Sequence, residues 1–381
     1  MTLVHTPEQD MLADTVRRLL AGSLDEPART DAAEAGTASA TWRAMAELGL
    51  FGLPFGEAVG GYGGSAGDVA AVMEEIGRAG LAAPYLSGIV EIAAVQHCLP
   101  DAAALAALVP AIVAGDHLTV LAHQERQARW DLTDVACRAM PDGTGWRLDG
   151  VKSLVSAADG ADHLIVSARI DGARRDADGI ALFLVPRGAP GLSMAMHPTQ
   201  DGARAGEVAL SGVGLTADAR LCGPEAGSTV LVAVRRAALA ALCAEAVGAM
   251  AGALDMTVDY LKTRRQFGVA LGSFQALQHR CADMYVALEL ARSMARLAGA
   301  ALHAADPAAC DPLLSAAKAE IGRAGRFIGE SAVQLHGGIG MTAEYRVGHL
   351  FKRLVMIDTQ HGSADWHGDR LAAGPSLIGA G

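Results

Sequence analysis

The residues best suited to chemistry lie near the C-terminal end of the chain, between positions 331 and 367. A predicted helix ends there at a Gln-Leu-His-Gly-Gly segment, residues 334–338, where two glycines let the backbone turn and expose its amide groups. Amide groups that converge at such a turn can hold a phosphate. A plain helix end without a ligand is the alternative that these residues leave open.

Three titratable residues follow this turn, namely Asp358, His361 and Asp365. A second helix is expected from about Glu344 onward, so the three residues lie at or just beyond its end. A free histidine side chain has a pKa of about 6.5, so a histidine at position 361 could remove a proton from a substrate at neutral pH. The alternative is a histidine that only fills space.

Two other segments carry polar and aromatic residues in a recognisable order. One is Arg-Arg-Gln-Phe-Gly at 264–268, and the other is Phe-Gln-Ala-Leu-Gln at 274–278. Together with the His-Gly-Gly turn, they resemble the C-terminal half of the acyl-CoA dehydrogenase family in order, spacing and identity. A Met-Glu-Glu-Ile-Gly-Arg segment at 73–78 is similar to the family's N-terminal helical domain. The resemblance covers nearly the whole chain and is weakest in the middle third.

The apolar periodicity agrees with the fold that this resemblance implies. Helical patterns fill residues 7 to about 115 and return from 228 onward, and Asp311 and Pro312 are expected to start the helix that ends at the glycines. Runs with a period of two predict strands at 117–123, 134–140, 146–148, 163–167, 179–185 and 206–210. The implied fold is an α+β multi-domain architecture, with an N-terminal α-helical domain at 1–115, a middle β-barrel domain at 116–226 and a C-terminal four-helix bundle at 227–381.

The resemblance implies a specific reaction and an unusual gap in it. The family removes the α-proton of an acyl-CoA thioester with a glutamate base, while a hydride passes from the β-carbon to FAD. A count without gaps from the His-Gly-Gly turn places His361 at the position of this glutamate, followed by Gly362 and Ser363. Some branches carry the glutamate on the first long C-terminal helix, where this chain has Ala238. The ordinary base is therefore missing from this chain.

The resemblance also sorts the flavin-binding residues into two sets. In the middle domain, the family's Thr-Glu-Pro-x-x-Gly-Ser-Asp is replaced at 123–131, and its Trp-Ile-Thr becomes Leu-Val-Ser at 154–156. The set that reaches the adenosine diphosphate half of a neighbouring subunit's FAD is retained. Across both sets, the implied cofactor-binding residues are Arg264, Gln266, Phe267, Gln275, Gln334, Leu335, Gly337, Gly338, Ser156 and Ser363.

A chain that contributes to its neighbour's FAD but holds its own poorly is expected in an assembly of two unlike subunits. The stretches 123–132 and 357–365 are similar to small subunits of pimeloyl-CoA dehydrogenase-like enzymes. The leading interpretation is an acyl-CoA dehydrogenase subunit that pairs with a glutamate-bearing chain and passes electrons to electron-transfer flavoprotein. The alternatives are a homotetramer or homodimer, a flavin-dependent monooxygenase or oxidase that uses His361 or Asp358, and a non-catalytic scaffold.

Composition indicates which classes of partner and which cellular compartment to expect. The net charge of −11 and a pI near 5.5 argue against a nucleic-acid partner, because nucleic acids bind to basic surfaces. The six cysteines include no Cys-x-x-Cys pair, so neither a metal site nor a disulfide framework is expected. The N-terminal stretch lacks a leader pattern, and charged residues interrupt the long apolar runs. A cytoplasmic protein without membrane insertion is therefore expected.

Overall fold

A computed structural model describes residues 5–21, 39–303 and 307–374. Contacts between Cα atoms divide the chain into two compact units, each of which combines distant parts of the sequence. The first, the helical unit, contains Met1–Asp25, Ala66–Leu81 and Leu239–Gly381; the second, the mixed unit, contains Glu26–Ser65 and Ala82–Ala238. Residues 1–4, where the stretch without a leader pattern begins, lie outside the described residues.

Helices fill both ends of the chain and strands fill its middle third, as the sequence predicts. In chain order, the helices are α1 Pro7–Ala21, α2 Ala40–Glu47, α3 Ala66–Ala79, α4 Glu91–Cys98, α5 Ala103–Ala106, α6 Val109–Ala114, α7 Gly227–Thr263, α8 Gln275–Ala301, α9 Pro307–His336, α10 Arg346–Thr359 and α11 Ala364–Ala373. The strands are β1 Thr119–Ala122, β2 Arg138–Asp142, β3 Gly145–Ser156, β4 His163–Arg169, β5 Ile180–Pro186, β6 Leu192–Pro198, β7 Arg204–Leu215, β8 Arg265–Gln266 and β9 Val269–Ala270.

Helix α9 is central to the helical unit, because it packs against α8, α10 and α11. Its apolar residues Leu314, Ile321 and Ile328 recur every seven positions, on one face of the helix, and all three are buried. Burial of each such side chain contributes roughly 1.5–3 kcal/mol to folding. The helices that carry the candidate site are therefore anchored by this helix.

The expected start of α9 at Asp311 and Pro312 is wrong. The helix begins at Pro307, and Pro312 lies inside it. Pro307 suits the first turn as well as Pro312 does, and a proline in the second turn costs only one backbone hydrogen bond. At the other end, a 3-10 turn at Gly337–Met341 separates α9 from α10, so the next helix starts at Arg346, two residues after the expected position.

The mixed unit is built on a seven-stranded sheet with the order β1-β4-β2-β3-β7-β6, in which β5 pairs with β4. Strand β1 pairs with β4 in parallel, whereas β3 pairs with β7 antiparallel along most of its length. The pairing of β3 with β7 shifts register twice, once between Leu148 and Gly150 and again between Lys152 and Val155. The second shift marks the segment in which Ser156 was predicted to bind a cofactor.

Two details of the sheet depart from the predicted strands. Strand β6 lies outside the predicted strands; its residues alternate between half-buried and exposed along most of its length, and none is fully buried. The strand predicted at 134–140 is wrong over residues 134–137, where the chain forms a loop before β2. In that loop, the backbone N–H groups of Ala136 and Cys137 donate to the carboxylate of Glu125 at 2.9 and 3.1 Å. A side-chain acceptor therefore takes the donors that a strand would use.

Among the described helices, α7 is long and apolar enough to cross a membrane by length and composition alone. Of its most apolar window, 94% is buried inside the protein. Because a core helix passes the same test, α7 is only weak evidence for a membrane span.

A histidine pair joins the starts of two parallel strands in the mixed unit. Nδ1 of His163, the first residue of β4, lies 3.2 Å from Nε2 of His117, two residues before β1. A hydrogen bond between two imidazoles requires one of these nitrogens to carry no proton. Burial lowers the pKa of both imidazoles, and the neighbouring His117 lowers the pKa of His163 further, although Asp162 opposes both effects. The folded chain therefore favours the uncharged pair.

The pair predicts a loss of stability as the pH falls. Below the unfolded pKa of about 6.5, the unfolded chain binds protons that the folded chain does not, so the free energy of unfolding decreases. We expect the thermal midpoint of the wild type to fall more between pH 7.5 and 5.5 than that of His163→Gln, measured by calorimetry. His303 is exposed, so His303→Gln serves as the control. Its thermal midpoint should depend on pH as that of the wild type does. If the thermal midpoints of all three proteins fell by the same amount between pH 7.5 and 5.5, the histidine pair would not cause the loss of stability.

Candidate functional site

The Arg-Arg-Gln-Phe-Gly segment forms a hairpin after α7, with β8 and β9 as its strands. Phe267 lies at the tip with φ +52°, and 88% of it is exposed. Its ring meets that of Phe274 edge-on, with 6.2 Å between the centroids. The flanking Arg264 and Gln266 are exposed as well. A large apolar side chain so far out in solvent is typical of a contact surface.

The His-Gly-Gly turn also faces solvent. Gln334, Gly337 and Gly338 are exposed, and Leu335 is half-buried. Gly337 has φ +65°, and a methyl group placed on either glycine would meet no atom within 4 Å. The backbone of the turn is therefore open to a ligand or to another chain; phosphate binding there stays a prediction.

Three rings in mutual contact bring the hairpin and the turn to one end of the helical unit. Tyr260, one helical turn before Arg264, has its ring centroid 4.6 Å from that of His336. Tyr345 closes the cluster at 5.0 Å from His336 and 6.4 Å from Tyr260. Nδ1 of His336 lies 2.7 Å from the carbonyl oxygen of Ala332 and must therefore carry the proton. No motif in the sequence predicts this aromatic support.

The predicted base lies in the turn at residues 358–364, which we call the His361 turn. His361 is half-buried and has φ +56°. Asp358 accepts a hydrogen bond from the N–H of Ala364 at 3.0 Å, and Ser363 accepts one from the N–H of Trp366 at 3.2 Å. Both side chains therefore cap α11. Asp365 is exposed in the first turn of that helix.

Two buried side chains, one on α9 and one on α11, hydrogen-bond to the backbone of the His361 turn. Nζ of Lys318 on α9 donates to the carbonyl oxygens of Asp358 and Gly362, at 2.9 and 2.7 Å. Burial lowers the pKa of Lys318 to about 8. Nε2 of His367 donates to the carbonyl oxygen of His361 at 3.2 Å. Neither residue belongs to a motif, although a lysine inside an apolar helix is a signal that could have marked Lys318 for attention.

The altered middle-domain loop is fixed by a buried ion pair. Nζ of Lys152 donates to Oε1 of Glu125 at 2.7 Å, to Oγ of Ser167 at 3.0 Å and to the carbonyl oxygen of His123 at 3.2 Å. Burial alone would raise the pKa of Glu125, but Lys152 and the hydrogen bonds to Glu125 hold it below the usual value. The loop thus keeps a defined shape although most of the family's residues in it are replaced.

The register shift in β3 exposes an apolar side chain beside this loop. Leu154 has φ +55° and is 63% exposed, and Ser156 follows it half-buried. The N–H of Ser153 donates to the carbonyl oxygen of Gln124 at 2.7 Å and so ties the shifted segment to the loop. The mixed unit therefore joins the two segments in which the middle-domain flavin contacts are expected.

Backbone strain in the described residues is concentrated in the predicted segments. The non-glycine residues with left-handed φ are Arg129, Leu154, Ala157, Phe267 and His361. Each lies in, or directly after, the altered loop, the β3 segment, the hairpin or the His361 turn. This conformation costs a residue with a side chain about 1–2 kcal/mol and persists where the surrounding structure imposes it, most often at functional sites.

The described residues suit FAD in part. Exposed glycine amides and the neighbouring Arg264 in the helical unit offer donors and positive charge for phosphates. In the mixed unit, an exposed Arg129 with φ +50° lies in the stretch that replaces the family's Thr-Glu-Pro-x-x-Gly-Ser-Asp, and Leu154 cannot stack as a tryptophan would. No cluster of three or more metal-ligand side chains occurs in the ranges that the structure covers.

Comparison with family models places these features in a known family pattern. Models for the acyl-CoA dehydrogenase N-terminal, middle and C-terminal domains match residues 6–108, 121–213 and 232–374. The three matches together extend over most of the chain. They include the altered loop, the β3 segment, the hairpin and both turns.

Individual proteins show similarity over most of the chain as well. The acyl-CoA dehydrogenase FadE12 of Mycobacterium tuberculosis is 30% identical over 317 residues, which are 81% of this chain and 80% of that protein. The (2S)-methylsuccinyl-CoA dehydrogenase of Cereibacter sphaeroides is 28% identical over 84% of this chain, which spans only 61% of that longer protein. A solved variant of the Tcur3481-Tcur3483 steroid ACAD is 31% identical, with a TM-score of 0.84 over 96% of this chain and 97% of that one.

Proposed function

The chain belongs to the acyl-CoA dehydrogenase family, whose members bind FAD, and we propose that it is one subunit of an acyl-CoA dehydrogenase that shares its FAD site with a glutamate-bearing partner chain. The proposed reaction is α,β-dehydrogenation of an acyl-CoA thioester, with electron-transfer flavoprotein as the acceptor. The proposed location is the cytoplasm. The observation that carries the proposal is a contrast. Arg264, Gly337 and Gly338, proposed to bind the phosphates of FAD, are retained and exposed, whereas the His361 turn has no usable carboxylate.

The His361 turn offers no carboxylate that is placed as a base. Asp358 is bound to the N–H of Ala364, so its oxygen serves to cap a helix. Asp365 lies beyond the turn, exposed on α11. A neutral imidazole at 361 could accept a proton, but the family's reaction is proposed here to use the partner's glutamate for the α-proton.

An exposed apolar surface next to the His-Gly-Gly turn supports a second chain in the assembly. Met341 is 78% exposed, and Ile339 beside it is exposed too. Phe267, on the hairpin that the ring cluster links to this turn, adds its ring to the exposed apolar area. Surfaces of this kind mark protein contacts. The similarity to the Tcur3481-Tcur3483 steroid ACAD, at 31% identity, supports an assembly of unlike chains and a steroid thioester as substrate.

This chain's own residues would hold the phosphate end of the cofactor. Arg264 supplies a guanidinium for bidentate contact, and the exposed amides of Gly337 and Gly338 supply neutral donors. Gln334 and Gln275, also exposed, offer further hydrogen bonds. FAD, when bound, accepts the hydride of the reaction. The acyl-CoA thioester is proposed to react in the site where the partner chain supplies the glutamate base.

Flavin content tests the proposal directly. We expect little FAD in the chain purified alone, and one FAD per pair when it is co-expressed with the glutamate-bearing paralogue encoded nearest to it. Visible absorbance against protein concentration, together with the mass of each assembly, measures both values. Arg264→Ala should weaken FAD binding in the mixed assembly roughly 10- to 100-fold, because a charge-assisted hydrogen bond is lost. Arg265→Ala, the exposed neighbour in the same hairpin, is the matched control and should bind FAD normally.

Each alternative function has its own outcome in this experiment. One FAD per chain in a homomer would overturn the shared site. Oxygen uptake by that homomer without a thioester, lost in His361→Ala, would indicate a flavin-dependent oxidase or monooxygenase. No FAD in either assembly would indicate a scaffold. Equal effects of Arg264→Ala and Arg265→Ala would remove Arg264 from the cofactor site.

A further inference from the structure

The His361 turn is strained, and its strain needs a cause in the surrounding structure. His361 has φ +56° and the following Gly362 has φ +121°. A residue with a side chain keeps such a left-handed φ only where neighbouring groups impose it. The contacts that impose it come from α9 and α11 of the same unit. Besides the two side-chain caps of α11, these contacts bind the main chain of the turn.

Lys318 spans the turn from α9. Its side chain is fully buried, and Nζ donates to the carbonyl oxygen of Asp358 at 2.9 Å and to that of Gly362 at 2.7 Å. These two carbonyl groups lie on either side of His361. One amino group therefore ties both flanks of the turn to the same point. Among the described residues, no carboxylate accepts a hydrogen bond from this amino group. Its hydrogen bonds therefore go to the backbone of the turn.

His367 holds the middle of the turn from α11. Its Nε2 lies 3.2 Å from the carbonyl oxygen of His361, and its Nδ1 lies 3.1 Å from Oγ of Ser315 on α9. A carbonyl oxygen only accepts, so Nε2 must carry a proton. In the neutral ring, Ser315 then donates to Nδ1. The hydroxyl of Ser315 thereby fixes the ring in the orientation that reaches His361.

A glycine on α9 lets the turn approach closely enough for these bonds. A side chain at Gly322 would overlap the carboxylate of Asp358 and would lie 2.8 Å from Cβ of Ala364. Gly322, Lys318 and Ser315 are spaced four and three residues apart, so they share one face of α9. That face is shaped to receive the His361 turn.

We propose that Lys318 and His367 are positioning residues, which hold the His361 turn in its left-handed conformation and thereby determine how the His361 imidazole and Ser363 are presented to a bound FAD. Both act through the main chain of the turn. The part of this inference that concerns FAD rests on the proposed function. The part that concerns the imidazole does not, because the turn is complete within this chain.

The test compares variants that remove the donors with one that keeps a donor. Lys318→Met keeps a long, unbranched side chain but removes both hydrogen bonds, and His367→Leu removes the bond to His361. We expect both to shift the pH midpoint of the His361 ring signals in NMR, and to raise the Kd for FAD in the mixed assembly about ten-fold or more, as lost supporting contacts do. His367→Gln keeps an N–H donor and should restore values close to those of the wild type.

A buried residue away from the turn separates positioning from stability. Ser331 lies on the same helix, is fully buried and accepts a hydrogen bond from Arg280 at 3.0 Å. Ser331→Ala should lower the thermal midpoint without moving the His361 signals. An unchanged His361 midpoint in Lys318→Met and His367→Leu would overturn the proposal, and if Lys318→Met does not fold, the two His367 variants decide. Should the wild-type assembly bind no FAD, the proposed function fails and the His361 midpoint alone decides the positioning role.

Discussion

Lys152→Met is expected to lower the free energy of unfolding by about 3–5 kcal/mol, because it leaves a buried carboxylate without its counter-charge. The side chains of Lys152 and Glu125 are 0% and 3% exposed, and they meet at 2.7 Å. The variant also removes the donor to Ser167 at 3.0 Å. Glu125 would remain buried among the backbone amides of the loop. Because water is excluded there, its charged form would be destabilised.

The pH dependence of Lys152→Met gives a second, independent result. In the wild type, the pKa of Glu125 lies below its usual value, so its contribution to stability is present above about pH 4.3 and is lost as the pH falls through the lowered pKa. In the variant, burial acts without Lys152 and raises that pKa. The stability difference between the two proteins should therefore shrink as Glu125 becomes protonated in acid.

Urea unfolding at several pH values measures both effects. Lys262→Met is the matched control, because the side chain of Lys262 is 70% exposed and lies 3.9 Å from the equally exposed Asp259. An exposed pair of this kind contributes about 0.5 kcal/mol or less, so the control should unfold almost as the wild type does. A loss in Lys152→Met no larger than that of Lys262→Met would show that the buried pair is not essential to the loop.

The ion pair also shows what the sequence could not predict. Lys152 and Glu125 stand 27 residues apart, and each occurs in a segment whose other residues gave no reason to join them. Apolar periodicity predicted most helices and strands because burial of one face repeats along the chain. Strand β6 has only a half-buried face, so its periodic signal is weak. The alternation at 134–137 is misleading, because the carboxylate of Glu125 accepts the backbone N–H groups that a strand would use.

The candidate site divides in the same way. The position of His361 followed from a count along the chain, and Phe267 and Gly337, both named from motifs, are exposed in the structure. Lys318 and His367 contact only backbone carbonyl groups of the turn, and a backbone carbonyl is the same for every residue type. No sequence motif can therefore record which side chain supports a turn. Three-dimensional placement was needed to find them.

Close packing between α3 and α7 in the helical unit depends on two glycines that face each other's helix. A methyl group on Gly77 would overlap the carbonyl oxygen of Glu245, and one on Gly248 would overlap that of Glu74. Backbone meets backbone here, so no side-chain rotation can relieve the overlap. The same two glutamates carry ion pairs: Glu245 with Arg353 at 2.5 and 2.8 Å, and Glu74 with Arg292 at 3.7 Å. A wider helix spacing would strain these pairs as well.

Gly248→Ala is therefore expected to lower the free energy of unfolding by about 3 kcal/mol, at the upper end of the cost of overpacking. Gly299→Ala is the control, because Gly299 lies inside helix α8 and a methyl group there would meet no atom within 4 Å. That control should gain about 0.5–1 kcal/mol, since alanine loses less backbone freedom on folding. Gly77→Ala should add little to Gly248→Ala, because the first substitution already separates the helices. Urea midpoints of the wild type, the three single variants and the double variant measure these effects. A gain in stability for Gly248→Ala, or full additivity of the two costs, would mean that the helices do not meet through these glycines.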